Sequence, residues 1–480
     1  MRIGLDIDNV VSNFDKAILE EFLKEDKNKR NSGIVNDHAE HIVKGMFDWS
    51  KEEVHEFFCN NMERIAKTME PREGAKYYMD KMLNHGHEIY LISNRVYPHY
   101  CNSFETTVNW LKKNDINYTK LVLTKTTDKS NACIENNIDI MFDDVVSNCI
   151  KMRDAGVNCY LVKTKYNHTP SKDLKFVMGW RDIYNEVCNL SFRKLPKYHV
   201  ILDTDTNNEA DDQFALSYLL KSKDRIILDA VTIAPYSHEN DVEVSKGTDL
   251  SYQVCQNIFG FLKEDSNNRI FKGATDYFQN GYLKENDAIK KMVEIIIQND
   301  TTYIVAIGAI TNVAVLLKLH PELKEKMKIV WLGGHSIMHS DNREYNFKQD
   351  VEAVQYVFQS GVNMTVIPCN GVASNLVTSI YELEHYFDLT KPLNKYLCDR
   401  FYNDGKHGIT ERRVIWDISA IAYLINPYWF EIKTMNAPKI KNDLSYEFEK
   451  NNHKIDFAIN LNANSIYQDL FKKLGNEKGL

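Results

Sequence analysis

The chain has no CxxC pair, and its nine cysteines are an odd, scattered set, so neither a disulfide framework nor a thiolate zinc site is indicated. No apolar run approaches the roughly 20 residues that a bilayer crossing needs. A basic excess is also missing: 59 Lys and Arg stand against 67 Asp and Glu, a formal net charge of −8. Such a balance gives no global pull on nucleic-acid backbones or anionic membranes. With 20 Gly and 10 Pro in 480 residues, no internal repeat and no low-complexity tract, collagen-like and disordered chains are excluded. The opening MRIGLDIDNV places acidic residues at once and lacks the basic, apolar and cleavage regions of a signal peptide. The expectation is a cytoplasmic protein of two domains, with small-molecule partners, no nucleic acid and no membrane. Homo-oligomer formation is left open.

What is present is an alternation of short apolar runs and helical patterns. Arg2 to Leu5, His87 to Ile92, Lys120 to Leu123, Asp139 to Phe142 and Asn158 to Val162 read as strands. Between them, Gly74 to Leu83, Glu105 to Lys113 and Lys129 to Asn136 read as helices, which predicts parallel βαβ units. Residues from about 15 to 70 are mostly helical, charged and Asn-rich, and are expected to form a cap over the carboxyl edge of the sheet. The pattern pauses near Leu190 to Lys197 (LSFRKLPK), where a linker is expected at 193–197 between domains 1–192 and 198–480. It restarts with Tyr198 to Leu202, a helix through Leu220, and strands at Ile226 to Ile233, Tyr303 to Ile307, Ile329 to Leu332 and Met364 to Ile367. The fold class is therefore α/β, with two doubly wound, mostly parallel sheets.

Both halves open on a strand ending in Asp-x-Asp. In Leu5-Asp6-Ile7-Asp8, side chains two apart share a face, so Asp6 and Asp8 can converge at a strand end, where open parallel sheets bind ligands. Ser93 after EIYLI, Lys129 at a helix start and Asp143-Asp144 after IDIMF supply the other groups of a phosphate site. A carboxylate can attack phosphorus, provided a cation, a lysine and hydroxyl donors offset the charge. Alone, each residue is as readily a cap, a turn or solvated surface; order and spacing favour the functional reading. Together they resemble the haloacid dehalogenase superfamily over residues 1 to about 190. The cap position and the run 128–144 are similar to its 5′-nucleotidase branch. The resemblance implies Asp6 as nucleophile, Asp8 as acid–base, Ser93 and Lys129 on the phosphate, and Mg²⁺ held among Asp6, Asp8 and Asp143 or Asp144. Val10 stands where many members have Thr, which removes no reacting group.

Residues 203 to 212 (DTDTNNEADD) place five carboxylates within ten positions, too many to be ionised in one turn without a cation. An EF-hand is excluded: its sixth position would be Asn208 and its twelfth Phe214. With VAIGAITN (305–312), WLGGH (331–335), EYN (344–346) and VIWD (414–417), the cluster resembles the inosine–uridine nucleoside hydrolase family from about 198 to at least 425. That resemblance implies Ca²⁺ held by Asp205, Asp212, Asp417 and the Ile307 carbonyl. Asp205 would also take the proton of the attacking water. Asp211, Glu344 and Asn346 would bind the ribose, with Asp203 as an orienting residue behind. Two departures stand out. The spacer TNNEA between Asp205 and Asp211 is longer than the family's, and Trp416 occupies a position where members often carry His.

A nucleotidase-like half joined to a nucleoside hydrolase-like half predicts consecutive loss of phosphate and base from a nucleoside 5′-monophosphate. Unlinked activities, a direct nucleotide N-glycosidase and one regulatory domain remain as alternatives. His38 and His41 are expected on a surface face of the cap, and His335 either faces the second pocket or caps a turn.

Overall fold

The first strand, β1 (Arg2–Leu5), is buried from Ile3 onward, as a central strand covered on both faces must be. In this computed structural model, which describes residues 1–37, 45–167, 173–192, 197–237, 243–403, 412–449 and 452–475, the chain divides into two units, Met1–Leu195 and Pro196–Leu480. After β1 the first unit continues through α1 (Phe14–Lys29), α2 (Lys51–Thr68), α3 (Ala75–Asn84), β2 (Glu88–Ser93), α4 (Ser103–Lys113), β3 (Lys120–Leu123) and α5 (Ser130–Glu135). It ends with β4 (Ile140–Asp143), α6 (Val146–Asp154), β5 (Cys159–Val162), β6 (Lys175–Val177) and α7 (Trp180–Phe192). All strands pair in parallel, in the order β3-β2-β1-β4-β5-β6. The chain steps outward from β1 to β2 and β3, then returns to the other side of β1 for β4. The carboxyl ends of β1 and β4 therefore flank a topological switch point, the crevice where such sheets bind ligands.

Helices α1 and α2 interrupt the alternation and form a small layer of their own. Phe22 joins them, its ring centroid 4.6 Å from Phe47, 4.4 Å from Trp49 and 4.6 Å from Phe57. A capping box between Ser50 and Glu53 starts α2. His38 and His41 lie outside the described residues. Trp180, Ile183, Tyr184, Val187 and Cys188 put a continuous buried face on α7, which runs to Phe192.

The second unit runs through β7 (Tyr198–Thr204), α8 (Asp211–Leu220), β8 (Ile226–Ile233), α9 (Val244–Phe261), β9 (Ile270–Lys272), α10 (Asp287–Gln298), β10 (Thr302–Ala306), α11 (Thr311–Leu319) and β11 (Met327–Leu332). Then come α12 (Tyr345–Gln349), α13 (Val351–Gln359), β12 (Asn363–Ile367), β13 (Val377–Ser379), α14 (Ile380–Tyr386), α15 (Pro392–Asn403), β14 (Arg412–Val414) and α16 (Ile418–Ile425). Strands β15 (Phe430–Asn436), β16 (Lys439–Ile440), β17 (Tyr446–Glu447) and β18 (Lys454–Leu461) precede α17 (Ala463–Leu474). The main sheet has the order β15-β18-β12-β11-β10-β7-β8-β9, and only the edge strand β15 runs antiparallel to its neighbour. Alternation along β7 sends Val200 and Leu202 into one apolar layer and Ile201 into the other. Its neighbours on the two sides are β8 and β10, so the second switch point lies between β7 and β10. No helix among the described residues is long and apolar enough to cross a membrane.

Candidate active sites

At the first switch point the Asp6 N–H donates to the Phe142 carbonyl at 2.9 Å, joining the ends of β1 and β4. Asp143 closes β4 and Asp144 follows, and the carboxylates of Asp6, Asp143 and Asp144 offer oxygens within 4.8 Å of one another. Both members of the Asp143-Asp144 pair thus stand with Asp6. Asp128 accepts from the Ser130 N–H at 2.9 Å and its hydroxyl at 2.6 Å, which fixes the start of α5. Lys129 is thereby delivered between the strands, with Nζ 2.8 Å from Asp6 and 2.6 Å from Asp143. Burial alone would lower this ammonium, but Asp143 and Asp6 hold it above its ordinary value. Burial, with neighbouring carboxylates, pushes Asp143 and Asp144 up. One lysine among three carboxylates leaves negative charge over, and an all-oxygen donor set of that kind fits a hard dication.

The Asp8 carboxylate turns elsewhere, to the buried Arg95 guanidinium at 2.6 Å, and is not part of the three-carboxylate group. Arg95 also donates to Thr107 Oγ1 at 2.9 Å. Burial pushes Asp8 up against the pull of Arg95. Asn9, in the left-handed region at φ 59°, donates to Asp15 and to Asp144, each at 2.9 Å. Ser93 at the end of β2 lines the same cavity of about 610 Å³ as Asp6, Asp8 and Lys129, together with Phe14 and Ile18 of α1 and Phe58 of α2. Arg95 was not among the sequence candidates; its only signal is a charged residue two positions beyond a buried strand.

At the second switch point a cavity of about 220 Å³ is lined by Asp205, Asp211, Asp212, Ile307, Glu344, Asn346, Trp416 and Asp417 among others. The carboxylates of Asp211, Asp212 and Asp417 offer oxygens within 4.8 Å of one another, so Asp211, expected on the ribose, enters the tight group and Asp205 stands beside it. Among the described residues the buried Oδ1 atoms of Asp205 and Asp211 have no hydrogen-bond partner. Asp212 accepts from Thr204 Oγ1 at 2.6 Å. Burial first, and then neighbouring carboxylates, push Asp205, Asp211 and Asp417 well up, and burial brings Asp212 to about 7. Such a cluster ionises together only around a cation. Orphaned carboxylate oxygens and an all-oxygen donor set fit Ca²⁺.

Asp203 is behind this group and outside the cavity lining. It accepts from Thr232 Oγ1 at 2.7 Å and Asn312 Nδ2 at 2.8 Å, and its carbonyl takes the Ile307 N–H at 2.9 Å. Asn312 thus explains the TN of the VAIGAITN segment. Burial pushes Asp203 up to about 7. Gly308 is needed where it stands, since a Cβ there would lie 2.8 Å from Asp205 Oδ1. Asn346 Nδ2 donates to the Ile307 carbonyl at 2.9 Å and to that of Leu332 at 3.1 Å. Glu344 caps α12: its carboxylate accepts from the N–H groups of Asn346 at 2.8 Å, Phe347 at 3.0 Å and Gly334 at 3.0 Å. His335 lines the cavity, its Nε2 3.3 Å from Asn370 Nδ2. Burial lowers this imidazole. Asn370, three residues past the end of β12, also lines the cavity and had no sequence signal beyond its place after a strand.

Residues 200–465 match the family described as inosine-uridine preferring nucleoside hydrolase. Residues 1–194 match the family described as 5′ nucleotidase, deoxy (pyrimidine), cytosolic type C protein. A Dictyostelium discoideum protein named "Probable ribonucleoside hydrolase" is 30% identical over 154 residues, covering 29% of this chain and 44% of that protein. A Chlorobaculum tepidum protein whose name refers to a 5′(3′)-deoxyribonucleotidase is 23% identical over 198 residues, covering 38% of this chain and 89% of that protein. The chain therefore spans less than half the length of the first of these relatives. Among solved structures, a plant nucleoside hydrolase is similar with a TM-score of 0.48 and 16% identity, over 58% of this chain and 99% of that one.

Proposed function

The chain belongs to the inosine-uridine preferring nucleoside hydrolase family over residues 200–465, and from that premise we propose that it is a bifunctional hydrolase. The first unit would remove phosphate from a nucleoside 5′-monophosphate, and the second would then cleave the N-glycosidic bond to give free base and ribose. The observation that carries this reading is that each unit has its own carboxylate cluster at its own switch point, opening on its own cavity.

In the first unit Asp6 attacks phosphorus and forms an aspartyl-phosphate. Lys129, already bonded to Asp6, neutralises charge on the phosphoryl group, and Ser93 donates its hydroxyl to it. Asp8, whose proton affinity is raised by burial, gives a proton to the leaving alkoxide and later takes one from the water that releases phosphate. Mg²⁺, which Asp6, Asp143 and Asp144 would hold with Asp8 nearby, supplies the positive charge that lets two anions approach.

In the second unit Asp205 takes the proton of the water that attacks the anomeric carbon. Asp211 and Glu344 accept hydrogen bonds from ribose hydroxyls, and the Asn346 amide oxygen does the same while its nitrogen holds the Ile307 carbonyl. Ca²⁺, which Asp205, Asp212, Asp417 and the Ile307 carbonyl would hold, supplies a Lewis acid that eases that deprotonation. Trp416, in place of a protonating His, stacks on the departing base, and His335 and Asn370 offer it hydrogen bonds. The test is a panel of nucleotides and nucleosides with phosphate and free base followed separately. Asp6→Asn should abolish phosphate release and leave base release from nucleosides intact. Ribose 5-phosphate plus base from the wild-type chain, with no nucleoside intermediate, would instead establish a direct nucleotide hydrolase.

A further inference from the structure

His55 and Cys59 lie four residues apart on α2 and therefore on one face of it. His99, from the segment that follows β2, meets them there: its ring centroid is 5.6 Å from that of His55. One ligand atom from each of the three lies within 4.8 Å of the others, and Cys59 Sγ is 3.6 Å from His55 Nε2. We propose that His55, Cys59 and His99 form a zinc site that ties the helical layer to the sheet of the first unit.

The Cys59–His55 spacing of 3.6 Å suits the ion. Zn–S near 2.3 Å and Zn–N near 2.0 Å at a tetrahedral angle require sulfur and nitrogen about 3.5 Å apart. Two imidazoles and a thiolate are borderline-soft donors, which select Zn²⁺ over the hard Mg²⁺ and Ca²⁺ that suit the two carboxylate clusters. Three protein ligands leave the fourth position to water. Binding exchanges the Cys59 thiol proton for the ion, so a proton is released. The two sides of the site are also held in place without metal. Glu63, one turn beyond Cys59, accepts from the Cys101 N–H at 3.0 Å, the Asn102 N–H at 3.2 Å and Thr106 Oγ1 at 2.7 Å. Such a support keeps α2 and the segment from His99 to Thr106 in register, so binding orders little chain. Phe58, whose ring centroid is 5.9 Å from that of His99, lines the first cavity, so the ion would fix one of its walls. Cysteine spacing did not reveal the group because its ligands come from one helix face and a distant segment.

The test uses the full-length, reduced, chelator-stripped chain in excess Mg²⁺ and Ca²⁺, titrated with Co²⁺. One equivalent should produce a thiolate-to-cobalt charge-transfer band in the near ultraviolet, and Zn²⁺ should displace it. Oxygen-only clusters cannot give that band. Cys59→Ser should remove it, whereas Cys101→Ser, at the other cysteine that is not buried, should keep it. His99→Gln should weaken Co²⁺ binding by at least about tenfold. Unchanged circular dichroism of the variants shows that the fold is retained. No band in the wild-type chain, or a band that survives Cys59→Ser, would overturn the proposal.

Discussion

Breaking the Asp8–Arg95 pair gives a test that needs no substrate. The Arg95 side chain is fully buried and that of Asp8 is 20% exposed, at 2.6 Å from each other. Removing one partner of a fully buried pair typically costs about 3–5 kcal/mol because a charge is stranded. Asp8→Asn removes the charge paired with this guanidinium, leaving Thr107 Oγ1, the Tyr100 ring at 5.6 Å and the more distant Asp6 charge around it, so about 3 kcal/mol is expected. Arg95→Met strands a carboxyl that opens on the cavity and can take a proton, so its cost should be lower, about 1–2 kcal/mol. The double variant leaves no stranded charge, and its cost should fall about 2 kcal/mol below the sum of the singles. The assay is urea unfolding of the full-length chain, scored on the transition displaced by Asp8→Asn, at pH 7 in moderate salt. Single costs that add to within about 0.5 kcal/mol would show that the two side chains are not coupled and would sink the argument.

Asp205→Asn should slow base release by about 10²–10⁴ through loss of the base, and excess Ca²⁺ should not restore it. Asp417→Ala should instead regain part of its rate in excess Ca²⁺; equal rescue of both variants would remove the proton-accepting role from Asp205. Burial pushes the His87 imidazole down from 6.5 to about 4, so between those pH values the unfolded chain binds more protons than the folded one and stability rises with pH. Acidification from pH 7 to 4 should therefore cost the wild-type chain more stability than it costs His87→Gln, read from denaturant midpoints at each pH. Residues 1–195 and 196–480, expressed separately, should each give a cooperative melting transition, and two insoluble fragments would contradict independent folding.

The strands at 2–5, 140–143, 198–204 and 302–306 were readable because they are central, buried on both faces and followed at once by polar residues. That pattern also placed Asp6, Asp143 and Asp205 at strand ends, since a buried apolar run can stop only where chemistry or a turn begins. Arg95 was not readable: a single arginine after a strand looks like surface, and only the fold reveals that it is buried against Asp8 and Thr107. Asn9 likewise depends on a left-handed backbone that brings Asp15 and Asp144 to one amide.

Helix α12 has only five residues, and Glu344 serves its first turn and the Gly334 N–H with both carboxylate oxygens. The polar wall of the second cavity and the local folding of that turn are consequently one event. On the proposed function, a lineage drifting toward a different sugar could not exchange residue 344 gradually, since every intermediate would lose the turn along with the proposed contact. Diversification of this cavity should instead accumulate at Trp416, His335 and Asn370, whose side chains hold no helix end together. Selection acting on the proposed base-facing residues would then leave the Glu344 end of the cavity nearly frozen.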